Sequence, residues 1–233
     1  MLSGKLAIKT LDIRQVAVDL PAAGNKPRDT PARIVLPLAI AIEQGRLEGL
    51  AIRQHGSETP VLIDSIRLVA NATAQDIRIN ELRVNGYQVQ LHSTGKLSLA
   101  PGFPLDLQLA FSYSLPETAT LQGNGSLQGD LHKLRLQQSL SGPLRAKLDA
   151  EAMDIAGDFH WQGELNIEKF NPAIFNKALP HIAMPDIRIQ GKLNPAGDRH
   201  QLSLKGDLQL DDARTGRAPV SYTHLTLPTK RIV

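Results

Sequence analysis

The sequence predicts an all-β chain built as a long, mostly antiparallel sheet of ten or more strands, with at most one or two short helices. Three observations predict it. Apolar residues recur with period two rather than 3.6 over most of the length. The motif Gly-x-Leu returns at Gly4, Gly45, Gly95, Gly125, Gly129, Gly142, Gly163, Gly191 and Gly206 at uneven spacing, as expected of successive strands entered through a glycine bend rather than of a fixed-period solenoid. Helical periodicity has a single serious claimant, NPAIFNKAL, where Asn171 can cap and Pro172 suits a first helical position.

Taken in order, SGKLAIKTLDI near the start reads as strand, and AAGNKPRDTPAR, residues 22–33, has linker composition. In KLSLAPGFPLDLQLAFSYSL every odd position from Leu97 to Leu115 is apolar: Leu97, Leu99, Pro101, Phe103, Leu105, Leu107, Leu109, Phe111, Tyr113 and Leu115. Pro101-Gly102 splits that stretch into two strands of one phase. The glycines of GNGSLQG, residues 123–129, match no nucleotide-binding fingerprint, and Asn124-Gly125 marks them as a hairpin turn. From Leu134 to Ala152 the even set runs Leu134, Leu136, Gln138, Leu140, Gly142, Leu144, Ala146, Leu148, Ala150, Ala152, against a polar odd set, with a turn at Gly142-Pro143. Shorter alternations follow at Phe159–Ile167, Ile187–Leu193 and Leu202–Leu210, with Pro195-Ala196-Gly197 read as a turn and Asp211-Asp212 closing a strand.

Composition narrows the function class. The 233 residues are 42% hydrophobic and 21% charged, ordinary for a globular chain. Without cysteine there is neither a disulfide framework nor a thiolate site. The formal charge of +3 includes Lys230 and Arg231; residues 1–219 carry 24 basic against 23 acidic side chains. With nine aromatics and no basic cluster, nucleic acid is not an expected partner. The longest apolar run, IVLPLAIAI at residues 34–42, falls far short of the ~20 residues that span a bilayer and contains Pro37. The first residues lack the charged start and apolar core of a signal peptide, so the chain is expected either to be cytosolic or to lack its natural N-terminus.

The ending VSYTHLTLPTKRIV departs from everything before it. Val220–Thr229 resembles the in-frame translation of a transposase adapter used in sequencing libraries. Val220–Val233 is therefore expected to be a non-native tail, 213–219 the junction, and the natural chain to continue beyond Pro219.

Signatures of catalysis are missing. The seven histidines (His55, His92, His132, His160, His181, His200, His224) show no metal-ligand spacing, and there is no G-x-S-x-G elbow. Carboxylates such as Asp64, Asp76, Glu81, Asp106, Asp130, Asp149, Glu151, Asp158 and Glu164 alternate with apolar residues, as on a solvated sheet face. Neither an enzyme nor a cofactor or metal is expected. What such a sheet must hide is its aliphatic face, and the candidates to cover it are a second sheet, helices, or a non-protein apolar ligand. Helices are too scarce, which leaves a sandwich or barrel, or a folded-over sheet open to lipid. Trp161 belongs to the same apolar set and reads first as a packing residue.

The stretches LSGKLAIKTLDIRQVAVDLP, LEGLAIRQHG, LIDSIRLVANATAQDIRINELRVNGYQVQLHSTGKLSLAPGFPLDLQLAFSY and LQGNGSLQGDLHKLRLQQSLSGPLRAKLDAEA resemble the translocation and assembly module family TamB of Gram-negative bacteria, within the AsmA-like superfamily. The most telling parts are Gly95–Leu109 and Leu127–Leu144, and the likeness covers roughly residues 1–212. The resemblance implies a fragment of the N-terminal half whose sheet curls into a trough, periplasmic and anchored in the inner membrane through an N-terminal segment outside this chain. It implies a conduit for phospholipid acyl chains between the membranes and an outer-membrane barrel partner that meets a C-terminal region also outside it. Assembly or secretion of outer-membrane proteins and autotransporters by strand pairing is the alternative, and a passive β-sandwich scaffold the second. The lining expected on the conduit reading is Leu97, Leu99, Phe103, Leu105, Leu107, Leu109, Phe111, Leu134, Leu136, Leu140, Leu144, Leu148 and Trp161.

Overall fold

A computed structural model describes residues 4–20, 34–56, 59–115, 119–176, 184–198, 201–212 and 220–222. The expected linker at 22–33, His181, His200 and most of the closing tail lie outside them. The strands are β1 (Lys5–Ile8), β2 (Leu11–Leu20), β3 (Ala39–Gln54), β4 (Val61–Ala72), β5 (Asp76–Gly86), β6 (Val89–Ser98), β7 (Leu105–Ser114), β8 (Thr120–Gly129), β9 (Lys133–Ser141), β10 (Leu144–Met153), β11 (His160–Phe170), β12 (Ile187–Asp198), β13 (Leu202–Asp212) and β14 (Val220–Tyr222). They form one sheet in the order β1-β3-β4 and then sequentially to β14, with β2 also on β3. Among the described residues the order does not return to its start, so these strands do not close into a barrel. β1 and β2 run parallel to β3, and every other pair with a defined register is antiparallel.

The chain divides into two compact units, one of Met1–Phe111 with Leu127–Leu131, the other of Ser112–Ser126 with His132–Val233. In both, the alternation seen in the sequence becomes rows of side chains running across the strands.

The helical claimant becomes a single 3-10 turn, Pro172–Asn176. Asn171 caps it: its Oδ1 accepts from the Ala173 N–H at 2.9 Å, while its Nδ2 donates to Asp186 Oδ1 at 2.8 Å. Phe175 folds back edge-on against Phe170, ring centroids 6.1 Å apart. Pro101-Gly102 is a turn, with Phe103 N–H bonded to Ala100 O at 2.9 Å. Gly142-Pro143 separates β9 from β10.

Two expected turns are corrected. Asn124-Gly125 lies inside β8, not in a hairpin. Gly125 is required for close approach rather than for a turn, since a Cβ there would run into the carbonyl of Gln137 on β9. Pro195-Ala196-Gly197 lies inside β12. The β11 ladder passes from Gln162↔Ala196 to Leu165↔Leu193, so the donor that Pro195 lacks falls where that ladder has a gap. The reversal comes at Asp198, whose Oδ1 accepts from Gln201 N–H at 2.8 Å. The Gly-x-Leu glycines are likewise mostly mid-strand rather than at strand entries. Gly95, at φ +147°, sits where the β5–β6 register slips between Ile79 and Leu82, and a Cβ there would meet Asp106 and Leu107 of β7.

Gly125→Ala should therefore be destabilised by about 1–3 kcal/mol, seen as a melting temperature lower by several degrees, because the methyl must displace backbone. Gly4→Ala, where a Cβ meets nothing within 4 Å, should melt like the parent.

Candidate functional site: the aliphatic face

In the first unit the register sets four apolar rows side by side. They are Leu6–Ile40–Ala72–Ile77–Leu97, Ile8–Ile42–Ala70–Ile79–Gly95, Leu11–Gly45–Leu68–Leu82–Ser93 and Ile13–Leu47–Ile66–Val84–Leu91. Between the last two, facing the other way, runs Asp12–Arg46–Arg67–Arg83–His92. Three register shifts, at Ile42/Gly45 on β3–β4, Val69/Ala70 on β4–β5 and Ile79/Leu82 on β5–β6, lie together between the second and third apolar rows. Bulges aligned in this way bend adjacent strands at one level and raise the local twist.

The second unit repeats the construction. Its rows are Leu144–Phe170–Ile189–Leu210, Leu140–Ala146–Ile167–Gly191–Leu208, Gln138–Leu148–Leu165–Leu193–Gly206, Leu136–Ala150–Gly163 and Leu134–Ala152–Trp161–Gly197–Leu202. Register shifts at Arg145/Ala146 and Ile167/Phe170 again fall between two neighbouring rows. The alternate residues carry the charge, and ion pairs such as Lys133–Glu151 at 3.0 Å and Lys147–Glu168 at 4.0 Å join neighbouring strands.

The aliphatic face is not the inside of a dry core. Among the described residues only Leu99 and Ile167, of all the leucines, isoleucines and valines, are more than nine-tenths buried. The other hydrophobics buried to that degree are Ala41, Ala70 and Ala146. Most residues in the rows are half-buried, as side chains are when row neighbours crowd them and no second layer closes over them.

The residues singled out from sequence fall as follows. Leu97 closes a row in the first unit, and Leu99, 4% exposed, follows it past the end of β6. Leu105, Leu107, Leu109 and Phe111 alternate along β7, half-buried, with Leu107 beside Gly95. Phe103 belongs to the turn before β7, at φ +52°. In the second unit Leu134 and Trp161 share a row through Ala152; Leu136, Leu140, Leu144 and Leu148 each occupy a different one. The expected carboxylate face is there too. Arg135 Nε donates to Asp149 Oδ1 at 2.9 Å and Gln137 Nε2 to Asp149 Oδ2 at 3.0 Å. These bonds, the one from Arg135 first, hold the Asp149 carboxyl below its ordinary range. A carboxyl so depressed adds stability above the unfolded value near 4, lost as pH falls through the folded one. Since the pair is exposed, that gain is small.

Sequence reasoning missed two residues on this face. Ser93, 2% exposed, and Gln138, 7% exposed, sit within apolar rows, and neither Ser93 Oγ nor Gln138 Oε1 has a hydrogen-bond partner among the described residues. Ser93 lies beside the bulge level of its unit, whereas Gln138 lies one row further from that of the second. Gln138 stands in the even set of Leu134–Ala152, and its polarity against eight aliphatic companions was the available signal. Because an unpaired buried carbonyl is costly, Gln138→Leu should raise the denaturant midpoint, by about 1 kcal/mol in unfolding free energy. A loss of stability would mean that this carbonyl is paired in solution.

The described residues hold no group of three or more His, Asp or Glu placed to bind a metal. No described helix is long and apolar enough to cross a membrane. Comparison with curated proteins and with solved structures returns no match. A family model, described as TamB, N-terminal domain, matches residues 24–213. That match spans well over half of the chain and takes in both sets of aliphatic rows except for their members on β1 and β2. The chain belongs to the TamB family, through its N-terminal domain.

Proposed function

We propose that the chain is part of a periplasmic, bridge-like conduit that carries phospholipid between the inner and outer membranes, with the sheet curled so that the aliphatic rows line its interior. The observation that carries this reading is the contrast between rows that are continuous and aliphatic and rows that are only half-buried. A surface of this kind needs an apolar partner, and an acyl chain supplies one. A chain of ~16 carbons in water is unfavourable by roughly 13 kcal/mol at ~0.8 kcal/mol per CH₂, a barrier that a continuous apolar lining removes. No residue acts as a catalyst; the lining lowers the barrier and the destination sets the direction. The inner-membrane anchor, as part of a longer protein, and the outer-membrane barrel, as its partner, belong to this proposal.

Leu107→Asp tests it. The substitution places a carboxylate on the face beside Gly95 and leaves the ladder hydrogen bonds of β7 in place. In the full-length protein, crosslinking to phospholipid from a photoreactive residue at Leu109 should fall about tenfold or more, in keeping with the ~2–3 kcal/mol cost of setting a charge against hydrocarbon, while the circular dichroism of the sheet is unchanged. Undiminished crosslinking in a folded variant would sink the conduit reading.

One observation favours the alternative of strand pairing in outer-membrane protein assembly. Strand β2 pairs only with β3 among the described residues, and nine of its ten residues are exposed. Such an edge can receive an added strand. Crosslinks from β2 to a trapped unfolded client would support this use, and their absence with the client trapped would remove it.

A further inference from the structure

The row Asp12–Arg46–Arg67–Arg83–His92 breaks a rule that the rest of the charged face follows. Directly opposed residues on neighbouring strands lie ~5 Å apart, and like charges placed there are destabilising. Three arginines in consecutive register on β3, β4 and β5 incur that penalty twice, and His92 on β6 extends the row. On the same face, past the bulge level, Arg78 stands opposite Lys96. Elsewhere opposed like charges come only in pairs. Asp149 faces Glu164, but Asp149 is bridged to Arg135 and Glu164 to Lys192. Arg145 faces Lys169 with no third member.

The carboxylates around the row hold its ends and leave its middle open. Arg46 pairs with Glu48 at 3.5 Å and Arg83 with Glu81 at 2.7 Å, each two residues along its own strand or beside it in the next row. Asp12 is taken by Arg14, and Asp76 by Lys96 at 3.2 Å. Arg67 has no ion pair or hydrogen bond of its side chain among the described residues, and it is exposed. It lines a shallow groove at the β3 bulge together with Arg46, Gln44, Glu43 and Glu81. The two outer guanidiniums are thus held by their acids on either side of a central one whose donors are free.

We propose that the row Arg46, Arg67 and Arg83 is a binding site for a phosphate-bearing ligand, on the face opposite the aliphatic rows and independent of what those rows carry. A guanidinium offers a planar fork of donors, and a tetrahedral phosphate has oxygens enough to accept from two forks ~5 Å apart at once. A planar carboxylate engages one fork fully and leaves the next unmatched. The ligand is either a phospholipid headgroup at a membrane surface or a soluble phosphate ester. The unfavourable charge row is the kind of local conflict that folding alone does not require.

Binding by the full 233-residue chain is measured with two probes, glycerol 3-phosphate by calorimetry and phosphatidylglycerol vesicles by co-sedimentation, for the parent, Arg67→Gln, Arg67→Lys and Lys205→Gln. Arg67→Gln should lose about tenfold in affinity, the scale of one charge-assisted contact. Arg67→Lys, which keeps the charge without the fork, should fall between it and the parent. Lys205→Gln, exposed in the other unit, should bind like the parent. Melting temperature is the second readout: removing the central like charge should leave it unchanged or raise it. Loss with both probes identifies the phosphate group itself as the ligand, loss with vesicles alone the lipid headgroup, and loss with the ester alone a soluble source. The proposal is overturned if the parent binds neither probe, if Arg67→Gln binds as the parent does, if Lys205→Gln loses as much, or if Arg67→Gln melts lower, since the row would then serve the fold.

Discussion

Register is the constraint on which this protein depends. Side chains alternate along a strand with period two, so a slip of one residue between neighbours would exchange the faces of every side chain beyond it. In the first unit such a slip would carry Leu47, Ile66 and Val84 to the charged side and bring Arg46, Arg67 and Arg83 among the leucines. The aliphatic rows and the arginine row are therefore two products of a single alignment, fixed by the same ladder of backbone hydrogen bonds. Burial enforces the alignment only weakly, because few of the apolar side chains are fully enclosed. Cross-strand pairs and close glycine contacts contribute the remainder. The Asn85 Nδ2–Ser65 Oγ bond, 2.9 Å long, ties β4 to β5 in the row beside the arginines.

The bulges complement this alignment. Each occupies one strand of a pair, yet within each unit they occur at a common level, so that strands bend together and the rows on either side stay intact. Glycine appears where the bend draws backbones together, and at Gly95 any side chain would occupy space already taken by β7. Of the most enclosed side chains, Ser93, Ala70, Ala146 and Ile167 gather at the same levels, while Leu99 lies past the end of β6. Much of the enclosure in this sheet thus follows from its bends.

Much of this was legible in the sequence because period two is local. The strands around Pro101-Gly102 and Gly142-Pro143 follow from alternation and from two turns of ordinary chemistry. Asn124-Gly125 and Pro195-Ala196-Gly197 were misread because glycine and proline serve two purposes that look alike in one dimension. A turn needs glycine for its dihedral angles, whereas β8 needs Gly125 so that Gln137 can come near. Pro195 reads as a breaker, yet it is harmless where its missing donor faces a gap in the ladder. The rows themselves were not legible at all. That Arg46, Arg67 and Arg83 stand abreast depends on two registers, and a single strand's sequence carries neither. The lining residues chosen from Leu97–Leu115 and Leu134–Leu148 were those in the longest alternations, which is why equally placed residues such as Leu68, Leu82, Leu165 and Leu193 were passed over.

A face built this way acts by area. If acyl chains move along it, each row offers similar dispersion and desolvation, and passage from one row to the next meets little barrier because no group must be released before another is engaged. Directional groups would spoil that, since a hydrogen bond made to a moving ligand has to be broken again. Besides the indole N–H of Trp161, the rows contain two such groups among their described members, Ser93 and Gln138, and both are buried below the reach of solvent. Their polar atoms are thereby kept from a passing chain, and their apolar neighbours present the surface. The charged face follows the opposite logic, holding fixed donors in line where a ligand that stays bound can use them. One sheet can therefore combine a sliding surface with an anchoring one, because alternation keeps the two chemistries a single residue apart and on opposite sides.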